Sequence, residues 1–269
     1  MTPSDIKRLL RQLGMGWNQR LGQHFLIDER VLNRQINYAG ILKSDTVLEI
    51  GPGLGALTDK LIKAAGNVIA IEKDNLLYSY LKTNILSSSL QLILGDALKV
   101  EIPKFDKVVS NLPYNISSNI TFKLLNYPFN IGIMMYQKEY AERMIANPCS
   151  KNYSRLSVDL YYKAKCEILE IIPKNAFFPQ PDINSAIVKL TPRSKPPFKV
   201  HNEKFFFETI QALFSHKRKK IRNSIELWLT RKNTQLTTLD GLPYLDDRVD
   251  RLTPEEIGEL SNRIHEMLN

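Results

Sequence analysis

Four consecutive residues, Asn111-Leu112-Pro113-Tyr114, carry the strongest chemical signal in the chain. They follow an apolar, strand-like run from Phe105 to Val109 and precede a polar stretch able to open a helix. The Asn111 amide oxygen can accept a hydrogen bond. Pro113 restricts Leu112 to extended geometry, which aims the Leu112 carbonyl oxygen. Tyr114 adds an aromatic face, and stacking a base on such a face is worth about 1–3 kcal/mol. Two acceptors and a flat wall suit the exocyclic amino group of a nucleobase. That nitrogen is a poor nucleophile, because its lone pair is delocalised into the ring. Two fixed acceptors favour the pyramidal form, in which the lone pair is available. No general base lies near these four residues in the sequence, and none is needed, since the proton can leave to water. Asn and Pro also build ordinary turns, so the tetrapeptide gains its meaning from the elements before it.

Those elements alternate. Thr46–Ile50 reads as a buried strand, Gly51-Pro52-Gly53-Leu54-Gly55 follows, and Leu57, Leu61, Ile62 and Ala65 recur at helical spacing up to Gly66. Val68–Ile71 is a second strand, ending in Glu72. Leu90–Leu94 is a third, ending at Gly95-Asp96, and Lys107–Ser110 a fourth, ending at Asn111. Ile131–Tyr136 is a fifth, followed by helix-like residues from Lys138 to Ala146. Strand, glycine turn, helix, strand and acid make half of a nucleotide-binding α/β domain. In a dinucleotide fingerprint the third glycine would fall at position 56, which is Ala56 here; the glycine is Gly55. That spacing alone does not exclude a dinucleotide. Glu49, just before the turn, adds information. Acid-x-Gly-x-Gly-x-Gly resembles the first motif of the S-adenosylmethionine-dependent methyltransferases. The cofactor that this resemblance implies has no pyrophosphate to place on a helix end, and a carboxylate near its cationic amino-acid end would help instead. Glu72 lies about 20 residues further on, where an acid can accept from both ribose hydroxyls. Asp96 can accept from an adenine amino group. One such acid could merely cap a loop; three at successive strand tips beside a glycine turn mark a ligand site.

The net charge of +9 over 269 residues favours an anionic partner, nucleic acid ahead of membrane. Two unpaired cysteines and four scattered histidines make a disulfide framework, a thiolate zinc site or any other metal unexpected. No apolar run reaches membrane-spanning length. The N-terminus lacks the apolar core of a secretory signal. Its Lys7, Arg8, Arg11 and Arg20, with the single acid Asp5, are faintly similar to a transit peptide, but a basic helix or arm at the surface is preferred, and a cytoplasmic location is expected. Gly22–Asp28 reads as a loop feeding a helix capped by Asp28, with Leu32, Ile36 and Ala39 on its apolar face and Gly40 at its end. Cys166–Ile172 and Ala186–Leu190 are β-like runs joined by a proline-containing loop, as in a hairpin. Pro192–Pro197 looks like a linker. Beyond it Ile221, Ile225, Trp228 and Leu229 mark one helix face, and Thr253-Pro254-Glu255-Glu256 forms a capping box with proline at the first helical position. The expected division is residues 1–192, with 1–20 as a basic arm, and a helical domain of residues 193–269. In that second domain Lys217, Arg218, Lys219, Lys220 and Arg222 form the candidate RNA-binding run, downstream of Phe205, Phe206, Phe207 and Phe214. Such a run can also be a solvated face or a targeting signal.

Together these pieces resemble the ribosomal RNA adenine N6,N6-dimethyltransferases of the kasugamycin-resistance type. The resemblance runs from Leu21 to the end of the chain. It is carried by Gly22-Gln23-His24-Phe25-Leu26, Glu49-Ile50-Gly51-Pro52-Gly53-Leu54-Gly55, Glu72-Lys73-Asp74, Gly95-Asp96-Ala97, Asn111-Leu112-Pro113-Tyr114, Phe177-Phe178-Pro179-Gln180-Pro181 with Ser185, and the basic stretch around Phe214. It implies a Rossmann-like methyltransferase domain with a mostly parallel seven-stranded sheet, followed by a small α-helical domain. It implies two methyl groups on each of two adjacent adenines near the 3′ end of small-subunit ribosomal RNA, within a pre-30S-like particle. S-adenosylmethionine contacts would fall on His24, Leu26, Gly51, Glu72, Asp96 and Asn111, beside the Glu49 and Gly53 already singled out. Phe177 would form a second aromatic wall opposite Tyr114. The chain departs from the family at His24, where asparagine is usual. Two rivals share the fold: an erythromycin-resistance-type methyltransferase acting on large-subunit RNA, and a non-catalytic ribosome-assembly or transcription factor. An NAD-dependent oxidoreductase is disfavoured by the lack of a hydride-site acid. Nothing in the sequence calls for an obligate dimer, so a monomer is expected.

Overall fold

The structure is a computed structural model that describes residues 2–15, 24–233 and 238–268. Arg20, Leu21, Gly22 and Gln23 of the expected arm and loop therefore lie outside the described residues. In chain order the elements are α1 (Pro3–Gln12), β1 (Phe25–Leu26), α2 (Glu29–Ala39), β2 (Thr46–Ile50), α3 (Ala56–Ala64) and β3 (Asn67–Glu72). Then come α4 (Asn75–Asn84), β4 (Leu90–Leu94), β5 (Lys107–Asn111), α5 (Ser117–Leu124), β6 (Ile131–Gln137) and α6 (Lys138–Met144). The remainder is α7 (Arg155–Lys163), β7 (Ala164–Ile172), β8 (Phe177–Phe178), β9 (Ser185–Pro192), α8 (Glu203–Ser215), α9 (Ile221–Arg231) and α10 (Pro254–Leu268). No helix among the described residues is long and apolar enough to cross a membrane.

These elements form two compact units. The first is Met1–Ala141 with Cys166–Pro192. Its sheet has seven strands in the order β4-β3-β2-β5-β6-β9-β7. Strand β2 pairs in parallel with β3 and β5, β3 with β4, and β5 with β6, while β9 runs antiparallel to β6. The apolar runs of β2, β3, β5 and β6 are almost continuously buried, as strands covered on both faces must be. The strand order reverses between β2 and β5, and ligands of such sheets bind at the carboxyl ends beside that point. Helix α2 starts at the Asp28 cap, whose carboxylate accepts the Arg30 N–H, and stops at Gly40 in the left-handed conformation. The basic N-terminal stretch is a built helix: Thr2 and Asp5 close a capping box, and Ile6 and Leu10 cluster with Leu54 and Leu77. A second, two-stranded sheet pairs β1 with β8, setting Leu26 opposite Phe177 and Phe25 opposite Phe178.

The second unit is Glu142–Lys165 with Arg193–Asn269. The single division expected after residue 192 is thus replaced by three chain crossings. The reason is packing. Tyr153, Val158 and Tyr162, in and before α7, share a core with Phe206, Ile210 and Leu213 of α8 and with Ile257, Leu260 and Ile264 of α10. The Tyr153 hydroxyl donates to the Leu252 carbonyl at 2.9 Å. The Thr253 hydroxyl accepts the Glu256 N–H at 3.2 Å, and the Glu256 carboxylate accepts the Thr253 N–H at 2.7 Å, so α10 begins in the capping box that its sequence predicts.

Candidate active site

Residues far apart in the sequence meet at the strand tips. The glycine turn leaves β2 with Gly51 and Gly53 in the left-handed region, at φ of 71° and 58°. A side chain there would be strained, and the bare turn lets other groups close in. The Pro113 ring lies 3.4 Å from where a Cβ on Gly51 would stand, so the turn and the Asn-Leu-Pro-Tyr corner touch. Glu72, at the tip of β3, braces the turn: its carboxylate accepts the Gly53 N–H at 3.1 Å and the Asp74 N–H at 2.8 Å. Burial raises its pKa, opposed by those N–H groups. Asp96, just past β4, accepts the Lys73 ammonium at 2.9 Å and the Leu98 N–H at 3.0 Å, and both hold its carboxyl below the usual range. It is ionised and able to accept.

Glu49 is the unusual member. It sits inside β2, 2% exposed, and accepts the Thr58 hydroxyl at 2.7 Å. Burial pushes its carboxyl up to about 8; Thr58 opposes the shift and the neighbouring Glu72 charge adds to it. A cation brought to this carboxylate would reverse the shift.

All of these groups line one cavity of about 620 Å³, a size typical of cofactor sites. His24, Leu26, Glu49, Gly51, Gly53, Glu72 and Asp96 border it, and so do Asn111, Leu112, Pro113, Tyr114 and Phe177. Every candidate residue that the sequence places in the first unit therefore reaches a single space. At its Asn111 corner the Tyr114 and Ser185 hydroxyls hydrogen-bond at 2.6 Å, which orients the phenol ring. Burial raises the Tyr114 pKa, so the ring stays neutral. His24 stacks on Tyr114, with ring centroids 5.7 Å apart, and its Nδ1–H donates to the Pro179 carbonyl at 2.8 Å. Phe177 is buried in the β1–β8 pair and lines the same cavity. Among the described residues no hydrogen bond takes the Leu112 carbonyl oxygen, which leaves it open as an acceptor.

A family model described as ribosomal RNA adenine dimethylase matches residues 15–266. The chain belongs to the ribosomal RNA adenine dimethylase family. It is 48% identical over 254 residues to a probable ribosomal RNA small subunit methyltransferase A of Methanosarcina acetivorans, covering 91% of this chain and 93% of that one. It is 41% identical over 269 residues to the protein of the same description from Methanothermobacter thermautotrophicus, covering 98% and 97%. Among solved structures, a dimethyladenosine transferase from Plasmodium falciparum superposes with a TM-score of 0.79 at 31% identity, covering 91% of this chain and 98% of that one. The 23S rRNA methyltransferase ErmE superposes with a TM-score of 0.66 at 25% identity, covering 91% and 99%. This adenine dimethylase thus has the Rossmann-like sheet that its sequence implies.

Two parts of its site escape a reading of the sequence. Gln35 of α2, fully buried, donates from Nε2 to the Asn111 Oδ1 at 2.8 Å. A signal exists: a polar residue interrupts the buried stripe of Val31, Leu32 and Ala39. Thr58, which holds Glu49, gives none, since threonine is unremarkable in a first helical turn. The cationic run of the second unit is also less uniform than its sequence. The Lys217 ammonium donates to the Tyr153 carbonyl at 2.6 Å, a structural contact that takes it from the exposed set. Lys220 pairs with Asp246 at 2.9 Å, but both ends are solvent-exposed, and such a pair is weak enough to exchange for a phosphate. Arg218 and Lys219 are exposed, and no ion pair holds either among the described residues.

Proposed function

We propose that this chain transfers methyl groups from S-adenosylmethionine to N6 of two adjacent adenosines near the 3′ end of small-subunit ribosomal RNA, yielding N6,N6-dimethyladenosine. The observation that carries this is the Asn111 corner: an amide oxygen and an open peptide oxygen beside an oriented phenol, in contact with the glycine turn of the cofactor cavity. S-adenosylmethionine supplies a methyl group on a sulfonium, with a neutral thioether as leaving group. The protein's part is to hold and to polarise. Glu72 accepts from the ribose hydroxyls, each of its oxygens keeping a lone pair beyond its backbone bond. Asp96 would accept from the adenine of the bound cofactor, and Glu49 would hold its cationic amino-acid end. His24 and Leu26 complete the wall. Asn111 Oδ1 and the Leu112 carbonyl oxygen take the two N6–H groups, and Tyr114 and Phe177 flank the target base. The adenine nitrogen attacks the methyl carbon, the carbon–sulfur bond breaks, its electron pair stays on sulfur, and the N6 proton passes to water. The substrate is an assembling small subunit of the pre-30S kind, approached by a single copy of the enzyme in the cytoplasm.

ErmE has the same fold and is a methyltransferase of 23S rRNA, so the target subunit is the point to test. Labelled methyl transfer to under-methylated small and large subunits, followed by mapping of the product, should place label on adjacent small-subunit adenines. Label confined to large-subunit RNA would overturn the assignment. Label on neither, with RNA binding intact, would leave a binding factor.

Phosphate binding falls to Arg218, Lys219, Lys220 and Arg222. Neutralising Arg218, Lys219 and Arg222 together should flatten the plot of log affinity against log salt. On single-stranded RNA its slope should drop by about 0.7 for each phosphate that the variant no longer neutralises. An unchanged slope would move the RNA surface elsewhere. Lys217→Ala should instead act on the fold of the second unit, seen as a lowered melting temperature, because it strips the buried Tyr153 carbonyl of its donor.

A further inference from the structure

We propose that Gln35 is a positioning residue for methyl transfer: its side-chain amide locks the Asn111 amide so that Oδ1, and not Nδ2, is the atom offered to the substrate amino group. The proposal rests on Asn111 being the acceptor described above. Gln35 itself is fully buried and does not border the cavity, so it acts through Asn111.

An asparagine amide is nearly symmetric in shape. Turned by half a rotation, Asn111 would present an NH2 group to an incoming NH2 group, donor against donor, and the grip would fail. Something must favour one orientation. Gln35 Nε2 is a donor and stands 2.8 Å from Oδ1. Rotating Asn111 alone would bring Nδ2 against Nε2, two donors with no acceptor between them. While Gln35 keeps its orientation, the bond therefore penalises rotation of Asn111 into the unproductive orientation before any substrate arrives. It uses one lone pair of Oδ1 and leaves the other.

A second observation separates this from ordinary core packing. Gln35 Oε1 is buried and has no hydrogen-bond partner among the described residues. An unpaired buried amide oxygen is unfavourable for folding. On the same stripe of α2, between Val31 and Ala39, an apolar side chain of equal length would avoid that cost. Among the described residues, the one polar interaction that the Gln35 side chain makes is the bond to Asn111. Stability disfavours glutamine here, and the alignment of Asn111 is what the residue supplies in return.

The test uses the full chain, radiolabelled S-adenosylmethionine and small ribosomal subunits lacking the modification. Gln35→Met keeps the length and removes the donor. It should lower kcat about 10- to 100-fold, as expected when a reacting group is left poorly aligned. Affinity for S-adenosylmethionine and KM for the subunit should stay within about twofold, the split expected for an interaction used in the transition state. The melting temperature should not fall, since the unpaired oxygen goes too. Gln35→Glu supplies a readout that packing alone would not move. Its protonated carboxyl can still donate to Oδ1, while the ionised form cannot, so activity should fall as pH rises through the pKa of the introduced acid. The wild type should show no such step. Asn111→Ala is the control. If Asn111→Ala is inactive while Gln35→Met turns over like wild type, the positioning role is wrong and the acceptor role stands. If Gln35→Met loses activity, donor binding and thermal stability together, Gln35 is structural and the proposal is overturned. If Asn111→Ala keeps its activity, the acceptor role itself has failed.

Discussion

Replacing Asn111 with alanine is expected to lower kcat for methyl transfer by about 10²–10³-fold, the loss seen when one preorganised polar group is taken from a reaction centre. The lone pair of an adenine N6 is tied into the ring, and the transition state needs it on nitrogen. In the mechanism proposed above, two acceptors at fixed positions, Oδ1 of Asn111 and the Leu112 carbonyl oxygen, would lower the cost of that change. They would act more strongly in the transition state than in the bound substrate, because the N–H groups become more acidic as the nitrogen attacks. Removing such an interaction lowers kcat and leaves KM for RNA nearly unchanged. S-adenosylmethionine should still bind, since Glu49, Glu72 and Asp96 hang on other strands. Asn111→Asp keeps an oxygen for both the substrate and the Gln35 amide, so its loss should be smaller than that of alanine. Single-turnover transfer to under-methylated subunits, with cofactor affinity measured in parallel, decides the matter. An alanine variant that retained more than about a tenth of wild-type turnover would remove the acceptor mechanism, since a tenfold change corresponds to only ~1.4 kcal/mol of barrier.

How much of this is legible in the sequence follows from what each residue depends on. Strand β2 has the bounds that its apolar run predicts, because a strand buried in a parallel sheet writes its own length in the sequence; β4, an edge strand only partly buried, also has the expected bounds. The acids are readable because Glu49 stands one residue before the end of β2, Glu72 at the tip of β3 and Asp96 just past β4, where the topology assembles ligands. Gln35 is not. Its role depends on α2 reaching a residue 76 positions away, and no local pattern encodes that. The same holds for residues 142–165. Tyr153 and Tyr162 show which core they join only once α8 and α10 exist to pack against them. Lys217 reads as one more cation of a basic run; the buried carbonyl that it serves belongs to a distant turn. Local chemistry is visible, while partners brought by long-range packing are not.

The buried carboxyl of Glu49 gives the largest expected effect on pH dependence. Its folded pKa, about 8, stands well above that of a glutamate in the unfolded chain, because β2 removes it from water and Glu72 lies near. A raised carboxyl favours folding while it is protonated. Its contribution is complete below about pH 4.3, the unfolded value, and is lost as pH rises through about 8. The total is on the order of a few kcal/mol. Glu49→Gln mimics the protonated form permanently. The ligand-free variant should therefore match wild type near pH 4 and exceed it by a few kcal/mol near pH 9, read from denaturant unfolding at each pH. Binding of S-adenosylmethionine should reverse the order. Its cationic amino-acid end favours ionised Glu49, so binding to wild type at pH 7 should expel a proton, and affinity should rise between pH 6 and pH 8. The ligand's own amino group titrates near pH 8, within the same range. That contribution is common to both proteins, and the difference between them isolates Glu49. Calorimetry in two buffers of unlike ionisation enthalpy counts the proton directly. Equal proton release by wild type and Glu49→Gln, with equal affinity, would place the cofactor's cationic end away from β2.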